Sequence, residues 1–250
     1  MVSSEINNPE DPSDVCFLEN DRILIVTDHL ELFSIEDLSK APQLLACFLL
    51  PIFVTNIAIV YNPRPRMQAQ RMTWIADPKD QVISIVVFSP NVVFHVSTRI
   101  FFNLDLFRGP FIPWKSWGPL NSRVFHHHWR CGVATLGHRV LQGFPAIHNN
   151  MAADDVPEGM EYRLHMMDFS PLAVKRCKGL ARVVKEPSTI VLEGKVITTS
   201  LPYVGIMLGR TFRCYELIDI WVDQDRIYMF VRLDGNNQNV GSSPFFNFQV

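Results

Sequence analysis

The strongest evidence for the fold class comes from the segment LIDIWVDQDRIYMFVRL at residues 217–233. Apolar side chains at Ile218, Ile220 and Val222 alternate with other types, and a second apolar run follows the polar triplet DQD. Alternation with a period of two is typical of β-strands, and turn residues between two such runs indicate a β-hairpin. The stretch therefore predicts a hairpin, and the rest of the chain can be searched for the same pattern.

Further segments have this design. Two short apolar runs meet at Asp28-His29 within 21–34, at Ser89-Pro90-Asn91 within 81–96, and at Glu193-Gly194 within 190–198. Glycine, proline, asparagine and aspartate are residues that tight turns favour. Each of these segments therefore predicts another hairpin.

The most apolar segment, residues 46–61, is too short to cross a membrane. It has 16 residues and contains Pro51, whereas a membrane-spanning helix needs about 20 apolar residues. We therefore predict two buried strands joined at Pro51 and no membrane partner.

The hairpins also repeat in sequence. DRIL at 21–24 returns as HRVL at 138–141 and as DRIY at 225–228, and the pattern HxxxFS occurs at 29–34 and 165–170. A propeller blade takes about 40 to 45 residues, and its sheet must bury both faces against neighbouring blades. We predict an all-β, WD40-like β-propeller of about four to five blades, a number that would leave the ring incomplete.

The repeats also set the expected boundaries. We expect a disordered polar leader at 1–19, a β-propeller-like domain at 20–233 and an irregular tail at 234–250, because leader and tail are rich in polar and turn-forming residues. Residues 145–160, which have the same character, predict an enlarged hairpin loop. The arginine of each repeat occupies the second position of the motif. This favours a structural role, in which the arginine pairs with a neighbouring acidic residue such as Asp21.

Composition excludes several classes of protein. The chain has 250 residues, of which 48% are hydrophobic and 19% charged, and its formal net charge is −2. Such a chain can bury a large core, which excludes a disordered protein, and it has no basic field that would attract nucleic acid. Its five cysteines include no CxxC pair, so we expect reduced thiols in a cytoplasmic or nuclear protein.

The sequence contains no GxSxG elbow and no phosphate-binding loop, so we expect no enzyme activity and no cofactor. The sharpest metal candidates are His126, His128 and Cys131. On a strand the two histidines would share one face, but further ligands at a regular spacing are missing. We therefore favour a solvent-exposed loop or an edge strand for this segment. A metal-binding protein is the alternative.

A pair of tryptophans gives the candidate interaction site. Trp114, Lys115 and Trp117 lie outside any alternating run, between Pro113 and Pro119. Aromatic side chains in loops are common anchors of protein interfaces. The interpretation that we favour for the tryptophans is that they fill a gap between two sheets, because buried aromatics contribute strongly to core packing.

Several segments, in the same order, resemble the carboxy-terminal region of the fungal, basidiomycete-type F-box-like proteins. They are DRILIVTDHLELFSIEDL at 21–38, LLACFLLP at 44–51, STRIFF at 97–102, IPWKSWGP at 112–119, HMMDFSPL at 165–172, RVVKEPST at 182–189 and LIDIWVD at 217–223. The resemblance implies a WD40-like propeller that presents a substrate protein, preceded by a helical F-box that binds the adaptor of a ubiquitin ligase.

Residues 1–20 lack the length and the Leu-Pro-x-Glu opening of an F-box. The resemblance therefore implies adaptor binding only if an F-box is supplied upstream. The function we expect is that of a non-enzymatic protein-interaction module, similar to the substrate-recognition propeller of an F-box receptor. A truncated paralogue acting as a stand-alone binding scaffold is the alternative, and sugar binding rests on analogy of fold alone.

Overall fold

A computed structural model of the chain describes residues 14–19, 21–60, 77–127, 131–145, 160–177, 181–214, 216–222, 226–232 and 245–249. The strands in these ranges are Asp14–Glu19 (β1), Arg22–Val26 (β2), His29–Ser34 (β3), Gln43–Leu49 (β4), Thr55–Val60 (β5), Val82–Ser89 (β6), Asn91–Ser97 (β7), Phe111–Ile112 (β8), Ser122–His126 (β9), Val133–Leu136 (β10), Arg139–Pro145 (β11), Met160–Asp168 (β12), Arg182–Val184 (β13), Ser188–Leu192 (β14), Lys195–Thr199 (β15), Tyr203–Cys214 (β16), Glu216–Val222 (β17), Arg226–Arg232 (β18) and Phe245–Gln249 (β19). The α-helices are Trp114–Asn121 (α1) and Pro171–Arg176 (α2).

The strands form antiparallel meanders that follow the order of the chain. The first sheet is β1-β2-β3-β4 with β8 added in parallel, and the second is β5-β6-β7-β9. The third sheet is β10-β11-β12-β16 with β13 at its edge, the fourth is β17-β18-β19, and β14 pairs only with β15. All the hairpins predicted from the sequence are confirmed by these pairings.

The sheets share one register. In each of the four sheets with three or more strands, the first residue of the second strand lies opposite the last residue of the third strand. The opposed pairs are Arg22 with Ser34, Val82 with Ser97, Arg139 with Asp168, and Arg226 with Gln249. The three repeated arginines therefore do occupy equivalent positions, and the second sheet has a valine there.

Apolar clusters lie between consecutive sheets. The first cluster joins the first and second sheets through side chains such as Leu32 and Phe94. Another joins the second and third sheets, with Val93 against Val140, and a third joins the third and fourth sheets around Ile220. The core is therefore divided into layers between sheets that are stacked in chain order.

The first strands of the sheets lie next to one another in the order β1, β5, β10 and β17. Two hydrogen bonds connect neighbours in this row: the Ile59 amide donates to Asp14 Oδ2 at 2.7 Å, and Thr135 Oγ1 donates to the Val60 carbonyl at 3.0 Å. In these four sheets the first strand therefore lies next to the first strand of the neighbouring sheet.

The structure corrects the predicted boundaries. Residues 14–19, assigned to a disordered leader, form β1, and residues 245–249, assigned to an irregular tail, form β19. Residues 1–13 lie outside the described part of the chain. The apolar segment 46–61 does contain two strands on either side of Pro51, although β4 and β5 belong to different sheets.

The enlarged hairpin predicted around 145–160 is present at its base, where Pro145 pairs with Tyr162. The loop itself, residues 146–159, lies outside the described residues. Both α-helices were missed by the sequence analysis. α1 begins after Pro113 and has no side-chain cap, whereas α2 begins with the start signal Ser170-Pro171 but is only six residues long.

The all-β class is confirmed, whereas a closed ring of sheets is not formed by the described residues, so the propeller stays a prediction. Within the described ranges, neither helix has the length and apolar character needed to span a bilayer.

Candidate functional site

The predicted tryptophan pair lies on α1, between the first and second sheets. Trp117 is only 1% exposed, and its ring nitrogen donates to the Leu49 carbonyl at 3.2 Å. The centroid of its ring lies 5.6 Å from that of Phe48 in the first sheet, with the rings edge-on. The ring centroids of Trp114 and Phe94, which belongs to the second sheet, are 5.8 Å apart. The pair therefore fills the gap between two sheets, and Trp117 offers no surface to a partner.

Three other residues of α1 are exposed, Lys115, Ser116 and Leu120. Lys115 faces solvent, and Leu120 is 74% exposed although it is apolar. The β14-β15 hairpin adjoins this helix, since the Ser200 amide donates to the Pro119 carbonyl at 2.7 Å. Lys195 on the hairpin reaches the Pro51 carbonyl at 3.4 Å, which places the segment between β4 and β5 beside it.

Together these elements form an exposed surface that contains four large apolar side chains. We call it the helix-hairpin surface and define it by Phe53, Lys115, Leu120, Val191 and Val196. The four apolar members are between 62% and 74% exposed. Apolar side chains grouped at a surface mark sites of protein interaction more often than scattered ones do.

The β14-β15 hairpin has a buried face and an exposed face. Ile197 is 2% exposed and belongs to the cluster between the first and second sheets. On the other face Val191 lies opposite Val196, and the hydroxyls of Thr189 and Thr198 are 3.0 Å apart. The exposed face is therefore uncharged and β-branched, which gives a flat, stiff contact area.

Arg123 holds this hairpin in place. Its guanidinium donates to the Leu201 carbonyl at 2.7 Å, to Ser188 Oγ at 2.9 Å and to the Glu186 carbonyl at 2.8 Å. The residue is 1% exposed, and burial lowers the pKa of its guanidinium from a very high value. A buried arginine with several carbonyl partners fixes the position of the hairpin rigidly.

This role of Arg123 was not predicted from the sequence. Its partners lie 63 to 78 residues away along the chain. Long-range carbonyl contacts leave no local pattern, so only the fold reveals them.

The metal candidates are dispersed. His126 is exposed at the end of β9, and Cys131 is 5% exposed in the cluster between the third and fourth sheets. His128 lies outside the described residues. Within the described residues there is no group of three histidine, cysteine, aspartate or glutamate side chains placed to hold a metal ion.

A buried polar network connects the second and third sheets. The His95 ring lies 2.8 Å from Ser84 Oγ through Nδ1 and 3.3 Å from Gln142 Oε1 through Nε2. All three residues are fully buried, and burial lowers the pKa of His95 to about 3. The ring is therefore neutral, with Nε2 donating to Gln142 and Nδ1 accepting from Ser84. The network is closed to solvent and joins the two sheets.

Comparison of the chain with protein-family models, with curated proteins and with solved structures finds no match.

Proposed function

We propose that the chain is a protein-interaction module, a propeller-like stack of blades similar to the substrate-recognition part of an F-box receptor. One observation carries this proposal: the sheets share a register and stack in chain order with their first strands side by side. Propeller blades have this arrangement, in which the first strand of each blade lies nearest the axis.

The proposed activity is the positioning of another protein. The helix-hairpin surface supports this because its elements carry exposed apolar side chains together with Lys115 and Lys195 on a rigid base. Interfaces of this kind combine an apolar centre with a polar rim, and a rigid surface loses little entropy on binding.

Site-specific photo-crosslinking tests the proposal. A photoreactive amino acid at Leu120 is expected to capture one protein repeatedly, and the substitution Val196→Asp is expected to abolish the capture. A photoreactive residue at Leu172, which is 58% exposed on α2, is the matched control and should not capture that protein. Equal capture from both positions, or capture that survives Val196→Asp, would overturn this assignment of the surface.

The choice between ligase receptor and stand-alone scaffold is a separate question. A pulldown with the purified ligase adaptor decides it: retention of the adaptor by the 250-residue chain would exclude the scaffold. Absence of retention, with photo-crosslinking at Leu120 intact, is the result expected of a scaffold.

A further inference from the structure

The first sheet exposes an apolar face on the side away from the second sheet. Its inner face is fully buried, with Leu24 and Leu32 at 0% exposure. On the opposite face Val15 is 43% exposed, Phe17 61% and Leu44 39%. We call this opposite side the outer face of the first sheet.

The strand register places some of the apolar side chains of this face in one continuous row. Phe17 lies opposite Ile23, Ile23 opposite Phe33, and Phe33 opposite Leu44. A row across four strands is about 14 Å wide, since strands lie about 4.8 Å apart. Apolar side chains therefore cross the whole meander without interruption by a charge.

The charges around this row are predominantly negative. Glu31 lies on the outer face beside Ile25, and the exposed carboxylates of Asp21 and Asp28 are at the two ends of β2. His29 is in contact with both Asp28 and Glu31, with Nε2 at 3.1 Å from Glu31 Oε1. One histidine therefore faces two carboxylates, and the balance is acidic.

The arginine nearest to this surface is turned away from it. Arg22 has the same strand parity as buried Leu24, its guanidinium donates to the Phe101 carbonyl, and it stacks on the Phe102 ring at 4.9 Å. Burial, together with the nearby carboxylates of Glu31 and Asp28, raises the pKa of the Cys47 thiol to about 11.

From this geometry we propose that the outer face of the first sheet binds a protein segment with an apolar stripe flanked by lysine or arginine. The apolar row supplies buried area, and the carboxylates at its margins select a basic partner. A second copy of this chain would bring the same carboxylates against one another, which costs free energy. This surface is separate from the helix-hairpin surface, so the two assignments fail independently.

Three synthetic peptides test the proposal by fluorescence anisotropy. The first has leucine and lysine in the helical period, the second replaces each lysine by glutamate, and the third scrambles the order of the first. The first peptide is expected to bind at least tenfold more tightly than either of the others, and its affinity is expected to fall as salt is raised.

Two matched variants locate the binding. Phe17→Asp is expected to weaken binding of the leucine-lysine peptide at least tenfold, whereas Val196→Asp on the helix-hairpin surface should leave it unchanged. Thermal melting checks that both variants fold. Equal binding of the lysine and glutamate peptides, no binding of the first peptide, or an unchanged affinity in Phe17→Asp would overturn the proposal. Self-association that Phe17→Asp abolishes would identify a second copy as the occupant and would equally contradict it.

Discussion

The first and second sheets are the same four-stranded meander in the same register, yet they differ in how many faces they bury. In the second sheet both faces are covered, so that β6 is buried from Val82 to Val87. In the first sheet only alternate residues of β1 and β2 are buried. The four-stranded unit therefore does not by itself determine which faces are exposed, because exposure depends on whether a neighbouring sheet is present.

The buried faces of the second sheet should respond most strongly to substitution. Phe94→Ala is expected to lower the free energy of unfolding by about 4 kcal/mol, because it removes a fully buried ring and leaves a cavity beside Trp114. Phe17→Ala on the outer face of the first sheet should cost less than about 1 kcal/mol. Urea denaturation measures both values, and similar losses for the two variants would remove the distinction between the sheets.

The buried arginine should matter more than an exposed arginine in a repeat. Arg123→Met is expected to cost about 3 kcal/mol, because the carbonyls of Thr199 and Leu201, one buried and one partly buried, lose their donor. Arg139→Met removes an exposed ion pair with Asp168 and should change stability by less than about 0.5 kcal/mol. Chemical denaturation compares the two, and a larger effect at Arg139 would contradict this ranking.

The network between the second and third sheets should make stability depend on pH. The pKa of His95 is about 3 in the folded chain, below its ordinary value of 6.5, so below pH 6.5 the unfolded chain binds a proton that the folded chain does not. Stability therefore falls as the pH is lowered, by about 2 kcal/mol between pH 7 and pH 5 from this residue. His95→Gln should reduce that slope, as measured by denaturation at both pH values. A slope unchanged by the substitution would show that His95 is not the source.

Substitutions in the row of first strands should lower stability less than the substitutions in the buried faces and at Arg123. Thr135→Val removes the hydrogen bond from β10 to the Val60 carbonyl of β5 and is expected to cost about 1 kcal/mol. Thr198→Val, on the exposed face of the hairpin, is the control and should be nearly neutral. Thermal melting distinguishes them, and equal behaviour would argue against contact between the first strands of the second and third sheets.

The hairpins were predictable because their signals are local. Turn residues such as Ser89-Pro90-Asn91 and Glu193-Gly194 stand between apolar runs, and Glu193 and Gly194 both adopt the positive φ that such a turn requires. Strand β1 was missed because its alternation is short and follows a polar segment. The sequence pattern also misaligned one repeat. The motif HxxxFS matches in letters at 29–34 and 165–170. In the structure, however, Arg139 lies opposite Asp168, two residues before the position that the sequence match predicts.

The candidate site was only partly predictable. The motif containing Trp114 and Trp117 was expected in a loop or at the margin of a strand, whereas it lies on α1. A sequence also does not reveal whether an aromatic side chain faces a neighbouring sheet or solvent. The role of Lys115 in an interface stays a prediction. Leu120 and the β14-β15 hairpin come together only through the contacts made around Pro119, which connect segments distant in sequence.

The most direct test of the account places an aspartate on an apolar face of each of the two sheets. The free energy of unfolding should fall by more than about 4 kcal/mol in Ile85→Asp, whose side chain is fully buried in the second sheet. It should change by less than about 1 kcal/mol in Phe17→Asp, where the carboxylate remains in water. Large losses in both variants would show that another sheet already covers the outer face of the first sheet, and a small loss in Ile85→Asp would contradict the stacking of sheets on which the account depends.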